Sequence, residues 1–215
     1  MNQNLKGIVA VVTGSSRGVG RGIAVGLGLH GATVYVTGRS AKAGDSPWPG
    51  TVFEAAEAVT AAGGKGIPVI CDFDDDEQIK QLFKQVEREQ GKLHILVNNA
   101  AALPPELYAH GAFWQKSLDV VALLDVGLRS SYIASYYAAP LLLRGGRGVV
   151  VNTSTYGASS YIHGPIYGAQ KAGIDKMACD MAVDFREHNV ASVSYWFGAV
   201  ATERLQIAVA NLPPG

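Results

Sequence analysis

Thirteen positions separate Ser154, the last residue of the run "GVVVNTS" (148–154), from Tyr167 in "YGAQK" (167–171). Tyr167 and Lys171 stand at i and i+4, so a helix carrying them puts both on one edge. That pairing suits proton transfer to an oxygen. A phenol with a pKa near 10 is a sluggish acid at neutral pH. A cation about 4 Å away, at an effective dielectric near 20, offers roughly 4 kcal/mol, equivalent to about three pKa units. Lys171 can supply that cation, and the Ser154 hydroxyl can hydrogen-bond an alkoxide developing at a carbonyl oxygen. An isolated Y-x-x-x-K is more often a packed tyrosine and a solvated lysine. A serine at a strand end and a glycine loop upstream make the set specific.

The chemistry such a trio serves, reduction of a carbonyl, needs a hydride donor, and a place for one stands near the start of the chain. "TGSSRGVG" (13–20) follows the apolar run "IVAVV" directly. Gly14 lets the chain turn sharply, and Gly18 and Gly20 clear the backbone where a pyrophosphate would approach a helix start. Ser16, Arg17 and Val19 complete the loop. The spacing is T-G-x-x-x-G-x-G, a variant of the dinucleotide fingerprint, and alone it is weak evidence, with a turn that serves only strand-to-helix packing as the lesser alternative. The second strand ends "VTGRS", with Arg39 where an NAD site has a carboxylate. Arg39 and Arg17 would offer two guanidinium forks to a 2′-phosphate, which points to NADP.

These residues need a scaffold that brings strand ends to one edge. Short β-branched runs occur at 8–13, 33–37, 66–71, 94–98, 148–154 and 190–196. Segments with helical spacing alternate with them at about 18–30, 51–63, 75–90, 116–143 and 165–188. Alternation of this kind predicts a doubly wound α/β domain, a parallel sheet with helices on both faces. Ligands of such sheets sit beyond the carboxyl ends of the strands, where the singled-out residues fall. Two irregular stretches, 41–50 and 101–113, are expected as loops over the cofactor's edge and along a substrate pocket.

Lysine plus arginine and aspartate plus glutamate number 18 each, so no net charge points to nucleic acid or an anionic membrane as partner. Cys71 and Cys179 fit neither a disulfide framework nor a metal knuckle, and the five histidines show no ligand spacing. The N-terminal apolar run is too short for a signal core. A cytoplasmic protein without a metal is the expectation.

"TGSSRGVG", "NNAA" (98–101), Ser154 and "YGAQK" together resemble the short-chain dehydrogenase/reductase family in order and spacing, from about Gly7 to Leu205. "VYVTGR", "FREHNVASVSYWFG" and "VATE" resemble one branch of it. The resemblance implies a single Rossmann-like domain over 1–215 with strand order 3-2-1-4-5-6. It implies Tyr167 as general acid/base, Ser154 as carbonyl anchor, and Lys171 as pKa tuner and ribose ligand. It places Asp72 and Phe73 beside adenine, Asn99 and Ala100 along the cofactor cleft, and Val200 and Thr202 at the nicotinamide. A homodimer or homotetramer through the helices at 116–143 and 165–188 is also implied.

Three departures stand out. Gly127, in "DVGLRS", occupies the place of the family's fourth catalytic residue, an asparagine; a glycine keeps the carbonyl that matters there and tolerates an irregular turn. "FG" (197–198) replaces a proline-glycine. The sequence stops at "NLPPG" (211–215), which leads us to expect a missing seventh strand and a truncated or missing substrate lid. The function expected is an NADP-dependent oxidoreductase acting on a small carbonyl or alcohol, with Tyr156, Tyr161 and His163 as candidates to line an apolar pocket. The alternative is a dinucleotide-binding protein with weak or no catalysis. A sugar-nucleotide epimerase shares the Tyr/Lys pair but has different glycine spacing.

Overall fold

In the computed structural model the described residues are 4–203, 205 and 206. The "NLPPG" segment lies outside them. Six strands form one sheet: β1 (Val9–Val12), β2 (Thr33–Gly38), β3 (Lys65–Ile70), β4 (Ile95–Asn98), β5 (Gly148–Ser154) and β6 (Val190–Trp196). The order is β3-β2-β1-β4-β5-β6, the order expected from the sequence. The β1/β2, β2/β3, β4/β5 and β5/β6 pairs run parallel. All of β1 is buried, whereas the outer strands β3 and β6 carry exposed positions, so continuous apolar runs belong to the middle of the sheet.

The helices are α1 (Gly18–Leu29), α2 (Val52–Ala61), α3 (Asp76–Gln90), α4 (Ser130–Arg144) and α5 (Pro165–Asp184). Local chemistry sets most of their ends. Thr51 and Glu54 form a reciprocal capping box on α2, and the Asp75 carboxylate accepts from the N–H groups of Glu77 and Gln78 on α3. α3 stops at Gly91, whose φ of 70° suits glycine. No side chain of its own N-cap residue, Arg17, caps α1, and its first turn holds no acidic residue.

By the density of their contacts the residues fall into two units, one up to Cys71 together with those from Gly198 on, the other Asp72–Phe197. In the first, α1 and α2 pack beside β2 and β3. In the second, α3 packs on α4, and α5 lies against β5 and β6. One expectation changes here. The helix read as 116–143 is broken: a short 3₁₀ turn spans Leu118–Val121, a widened turn spans Leu124–Arg129, and regular helix begins only at Ser130. The break centres on Val126 (φ −98°, ψ 71°) and Gly127, the irregular turn that a glycine tolerates.

Candidate active site

In the second unit, β5 ends at Ser154 and the chain passes through Thr155 and a 3₁₀ turn, Tyr156–Ala158, before α5 begins. This short return brings Tyr167, in the first turns of α5, back to the strand end. The Tyr167 and Thr155 hydroxyl oxygens are 3.3 Å apart, and Thr155 also accepts from the Gly157 N–H at 3.1 Å. A Cβ on Gly157 would stand 2.6 Å from Tyr167 Cε1, so the ring can lie there only over a glycine. Ser154 is wholly buried and its Oγ has no hydrogen-bond partner, a costly state outside a functional site.

Lys171 is buried one turn further along α5. Its Nζ donates to the Thr153 carbonyl at 3.3 Å and stands 5.7 Å from the Tyr167 ring centroid. Burial pushes the Lys171 ammonium down to about 8, with Asp175 pulling the other way. Burial pushes the Tyr167 phenol up, and the group that pulls it back is the Thr155 hydroxyl. In this arrangement burial outweighs the pull of the Thr155 hydroxyl on the phenol.

Beyond the phenol stands an aromatic wall. His163, with φ 58°, packs edge-on to Tyr167 at 5.2 Å and to Tyr108 at 4.9 Å between ring centroids. Burial lowers the His163 pKa, with Lys116 adding to the effect, so the ring is neutral at pH 7. The Lys116 ammonium ties the two loops, donating to the carbonyls of Leu107 (3.1 Å) and His163 (3.5 Å). Of the three residues expected to line a pocket, His163 alone packs on Tyr167; Tyr156 and Tyr161 are exposed. Tyr108 was not singled out, although the stretch that holds it was. In the same unit Asp72 is half-buried, Phe73 and Ala100 are buried, and Asn99 is half-buried just past β4.

The first unit holds the glycine loop. Gly14 and Gly18 have φ of 61° and 58°, conformations that favour glycine. Ser15, not anticipated, staples the loop: its Oγ donates to Val12 O at 2.7 Å and accepts from Thr37 N at 2.9 Å. Ser16 and Gly20 are buried, Val19 is half-buried, and Arg39 is exposed just past β2. Arg17 is turned onto the 41–50 loop, where it bonds Ser40 Oγ (2.6 Å) and the carbonyls of Pro49 (3.0 Å) and Gly50 (2.6 Å). It clamps that loop with the guanidinium expected to reach a phosphate. Thr202 Cγ2 would lie 3.6 Å from a Cβ on Gly18, and Val200, 40% exposed, stands nearby in sequence.

The uncapped start of α1 has already drawn in an anion. The Glu203 carboxylate accepts from the Gly18 N–H at 3.0 Å and sits 3.8 Å from Arg21. An oxyanion at the first N–H of a helix is what the glycine loop is shaped to hold, so these residues fit a dinucleotide's phosphate.

The sequence profile of the short chain dehydrogenase family matches residues 8–211. The chain belongs to that family. It is 40% identical to mouse (Mus musculus) dehydrogenase/reductase SDR family member 1 over 206 residues, 94% of this chain and 63% of that one. This is the branch that "VYVTGR", "FREHNVASVSYWFG" and "VATE" resemble. The chain thus spans under two thirds of the length of that relative. NADPH-dependent aldehyde reductase 2, chloroplastic, of Arabidopsis thaliana is 33% identical over 221 residues, covering 96% of this chain and 77% of that one. A metagenomic short-chain oxidoreductase crystallised in complex with NADP superposes with a TM-score of 0.79 at 30% identity, over 91% of this chain and 84% of that one. Among the described residues no helix is long and apolar enough to cross a membrane.

Proposed function

We propose that this chain is an NADP(H)-dependent oxidoreductase that interconverts a ketone or aldehyde of hydrophobic character and its alcohol. The observation that carries the reading is the join of β5 and α5: Ser154 at the strand end, the Tyr167 hydroxyl 3.3 Å from Thr155, and Lys171 buried on the same helix. Ser154 holds the carbonyl oxygen, Tyr167 delivers its proton, and Lys171 keeps the phenol's charge state within reach of neutral pH. When bound, the nicotinamide supplies or accepts the hydride. The glycine loop, from Gly14 through Ser16, Gly18, Val19 and Gly20, takes the phosphates, and Arg39 takes the 2′-phosphate. Asp72, Phe73, Asn99, Ala100, Val200 and Thr202 keep the cofactor roles the family resemblance gives them. The rings of His163 and Tyr108 beside Tyr167 support an apolar substrate.

The names of an NADPH-dependent aldehyde reductase and of an NADP complex among similar proteins support the cofactor. Tyr132, Tyr136 and Leu143, all exposed, share one stripe of α4 at spacings of four and seven, which supports pairing through that helix into a homodimer or homotetramer. A binding protein without turnover is the second reading. The raised pKa of Tyr167 favours it, since a phenol that stays protonated is a poor base.

The test is a fluorescence titration with NADPH and, in parallel, NADH, followed by NADPH consumption with a panel of aldehydes and ketones. Selective NADPH binding with turnover is expected. Binding without turnover would establish the second reading, and equal affinity for the two nucleotides would remove Arg39 from its role.

A further inference from the structure

One turn beyond Lys171 on α5 stands a carboxylate, Asp175, at the same i and i+4 spacing that separates the lysine from Tyr167. Phenol, ammonium and carboxylate therefore follow one another along a single edge of the helix. Asp175 is about 12 Å along the axis from Tyr167, too far to touch a reacting carbonyl. A carboxylate in the middle of a long helix is usually turned to water, but this one is half-buried and turned to the sheet. Ser194 Oγ donates to its Oδ1, and the Trp196 indole Nε1 donates to its Oδ2 at 2.9 Å.

The two donors stand two apart on β6 and so share one face of that strand. They bracket Tyr195, whose register partner on β5 is Thr153, the residue whose carbonyl accepts from the Lys171 ammonium. Neighbouring strands lie about 4.8 Å apart, and α5 packs on both. Ammonium and carboxylate are thus anchored at one level of two adjacent strands. A charge free to swing into water is screened, whereas one pinned beside a buried partner acts on it. The two bonds do not themselves need a charge: an asparagine amide could accept from Trp196 and donate to Ser194. What the carboxylate adds is its charge.

We propose that Asp175 is a positioning residue of the Tyr167 and Lys171 site, its carboxylate pinned by Ser194 and Trp196 so that its charge holds Lys171 in the ammonium form. The assignment rests on the oxidoreductase reading for its purpose, but not for its geometry. The titratable groups on elements packed against α5 are Asp125 and Arg129 of the widened turn, Tyr156 ahead of the helix, Tyr195 of β6 and the three side chains of the 3₁₀ turn Arg186–His188 behind it; β5 brings none. On α5 itself Lys176 is paired with Asp180. Asp175 is the group that offsets the burial of Lys171.

The test is the titration of Lys171, followed by NMR of ¹³Cε-labelled lysine in cofactor-free protein, its resonance assigned by its loss in Lys171→Met. Asp175→Asn keeps the volume and both bonds to β6, so melting temperature should hardly move. The Lys171 pKa should fall by about one unit in that variant. Asp175→Glu restores the charge and should titrate close to wild type. With NADPH and a carbonyl substrate, the alkaline limb of the pH–rate profile should move down with the lysine. Asp175→Asn should then lower kcat about fivefold at pH 8 and hardly at all at pH 6, with KM unchanged. An unchanged Lys171 titration in Asp175→Asn overturns the proposal. So does a pKa lowered equally in Asp175→Glu, which would assign the effect to the bonds with β6 and not to the charge. A titration shifted by asparagine and restored by glutamate, in a protein that turns over no carbonyl, would uphold the positioning role and refute the oxidoreductase reading instead.

Discussion

The glycine loop and the join of β5 to α5 handle polar groups in opposite ways. Around the loop the polar groups are already engaged: Ser15 with Val12 and Thr37, Arg17 with the 41–50 loop, the Gly18 N–H with Glu203. At the join, Ser154 Oγ and both polar atoms of Gln170 are buried without partners, and Lys171 bears a full burial penalty. The first is built mainly from backbone, so it can be satisfied by its own chain and needs exchange to take a ligand. The second is built from side chains aimed into a small volume, and it holds unmet hydrogen-bonding capacity.

The sharpest way to break that contrast is Tyr167→Phe. It removes one oxygen, whose partner in the free protein is Thr155, while the ring keeps its place over Gly157. Turnover should fall about a thousandfold, the usual range for a lost general acid, with NADPH affinity unchanged. Stopped-flow assay beside fluorescence titration measures both, and retained turnover would place the proton donor elsewhere. Arg39→Ala probes the other region. NADPH binding should weaken tenfold or more, the worth of a charge-assisted hydrogen bond, and NADH binding should hardly move. Equal losses for the two nucleotides would mean that Arg39 supports the loop and not the phosphate.

Lys171→Met tests whether the join really stores an unmet cost. A lysine held at about 8 in the folded protein against an ordinary 10.5 binds its proton less readily folded than unfolded. Between those values the unfolded chain carries more protons, so stability rises with pH, and below about pH 8 the full cost is present. Replacing the ammonium should therefore raise stability at pH 7 by at most about 3 kcal/mol and flatten the rise above pH 8, while abolishing activity. Chemical denaturation at pH 7 and pH 10 gives the comparison. A variant less stable at pH 7 would show that the bond to Thr153 outweighs the burial.

How far each region was readable from the chain follows the same division. The six strands and the glycine loop were legible because they rest on short-range signals: β-branched runs, and glycines where φ is positive. Ser154, Tyr167 and Lys171 were legible as spacing, and the structure brings them to one strand end. What was missed depends on contacts distant in sequence. Tyr108 meets His163 across two loops without periodicity, and Gln170 meets Gly127 across two helices. The helix read as 116–143 failed at Gly127 because apolar spacing continues through the break, so the pattern does not register a turn widened to admit the Gln170 side chain. Arg17 was assigned to a phosphate on its place in the glycine loop and its pairing with Arg39; its partners in the structure, the carbonyls of Pro49 and Gly50, carry no sequence signal at all.

The smallest effect expected is at Glu203, and it bears on the other half of the contrast. If the loop is satisfied by its own chain, a phosphate has to displace the carboxylate from the Gly18 N–H before it can use the helix start. The pair with Arg21, at 3.8 Å and partly exposed on both sides, adds little to hold it there. Glu203→Gln keeps an oxygen that can accept from Gly18 but removes the charge that opposes an incoming phosphate. NADPH should then bind roughly two- to fivefold more tightly, the scale of one charge at a helix terminus, and the gain should shrink as salt is added. Calorimetry at low and high ionic strength reads both quantities. Unchanged affinity would mean that the carboxylate yields without cost. Weaker binding would mean that Glu203 stays as a partner, through Arg21, and that the loop accepts its ligand without giving anything up.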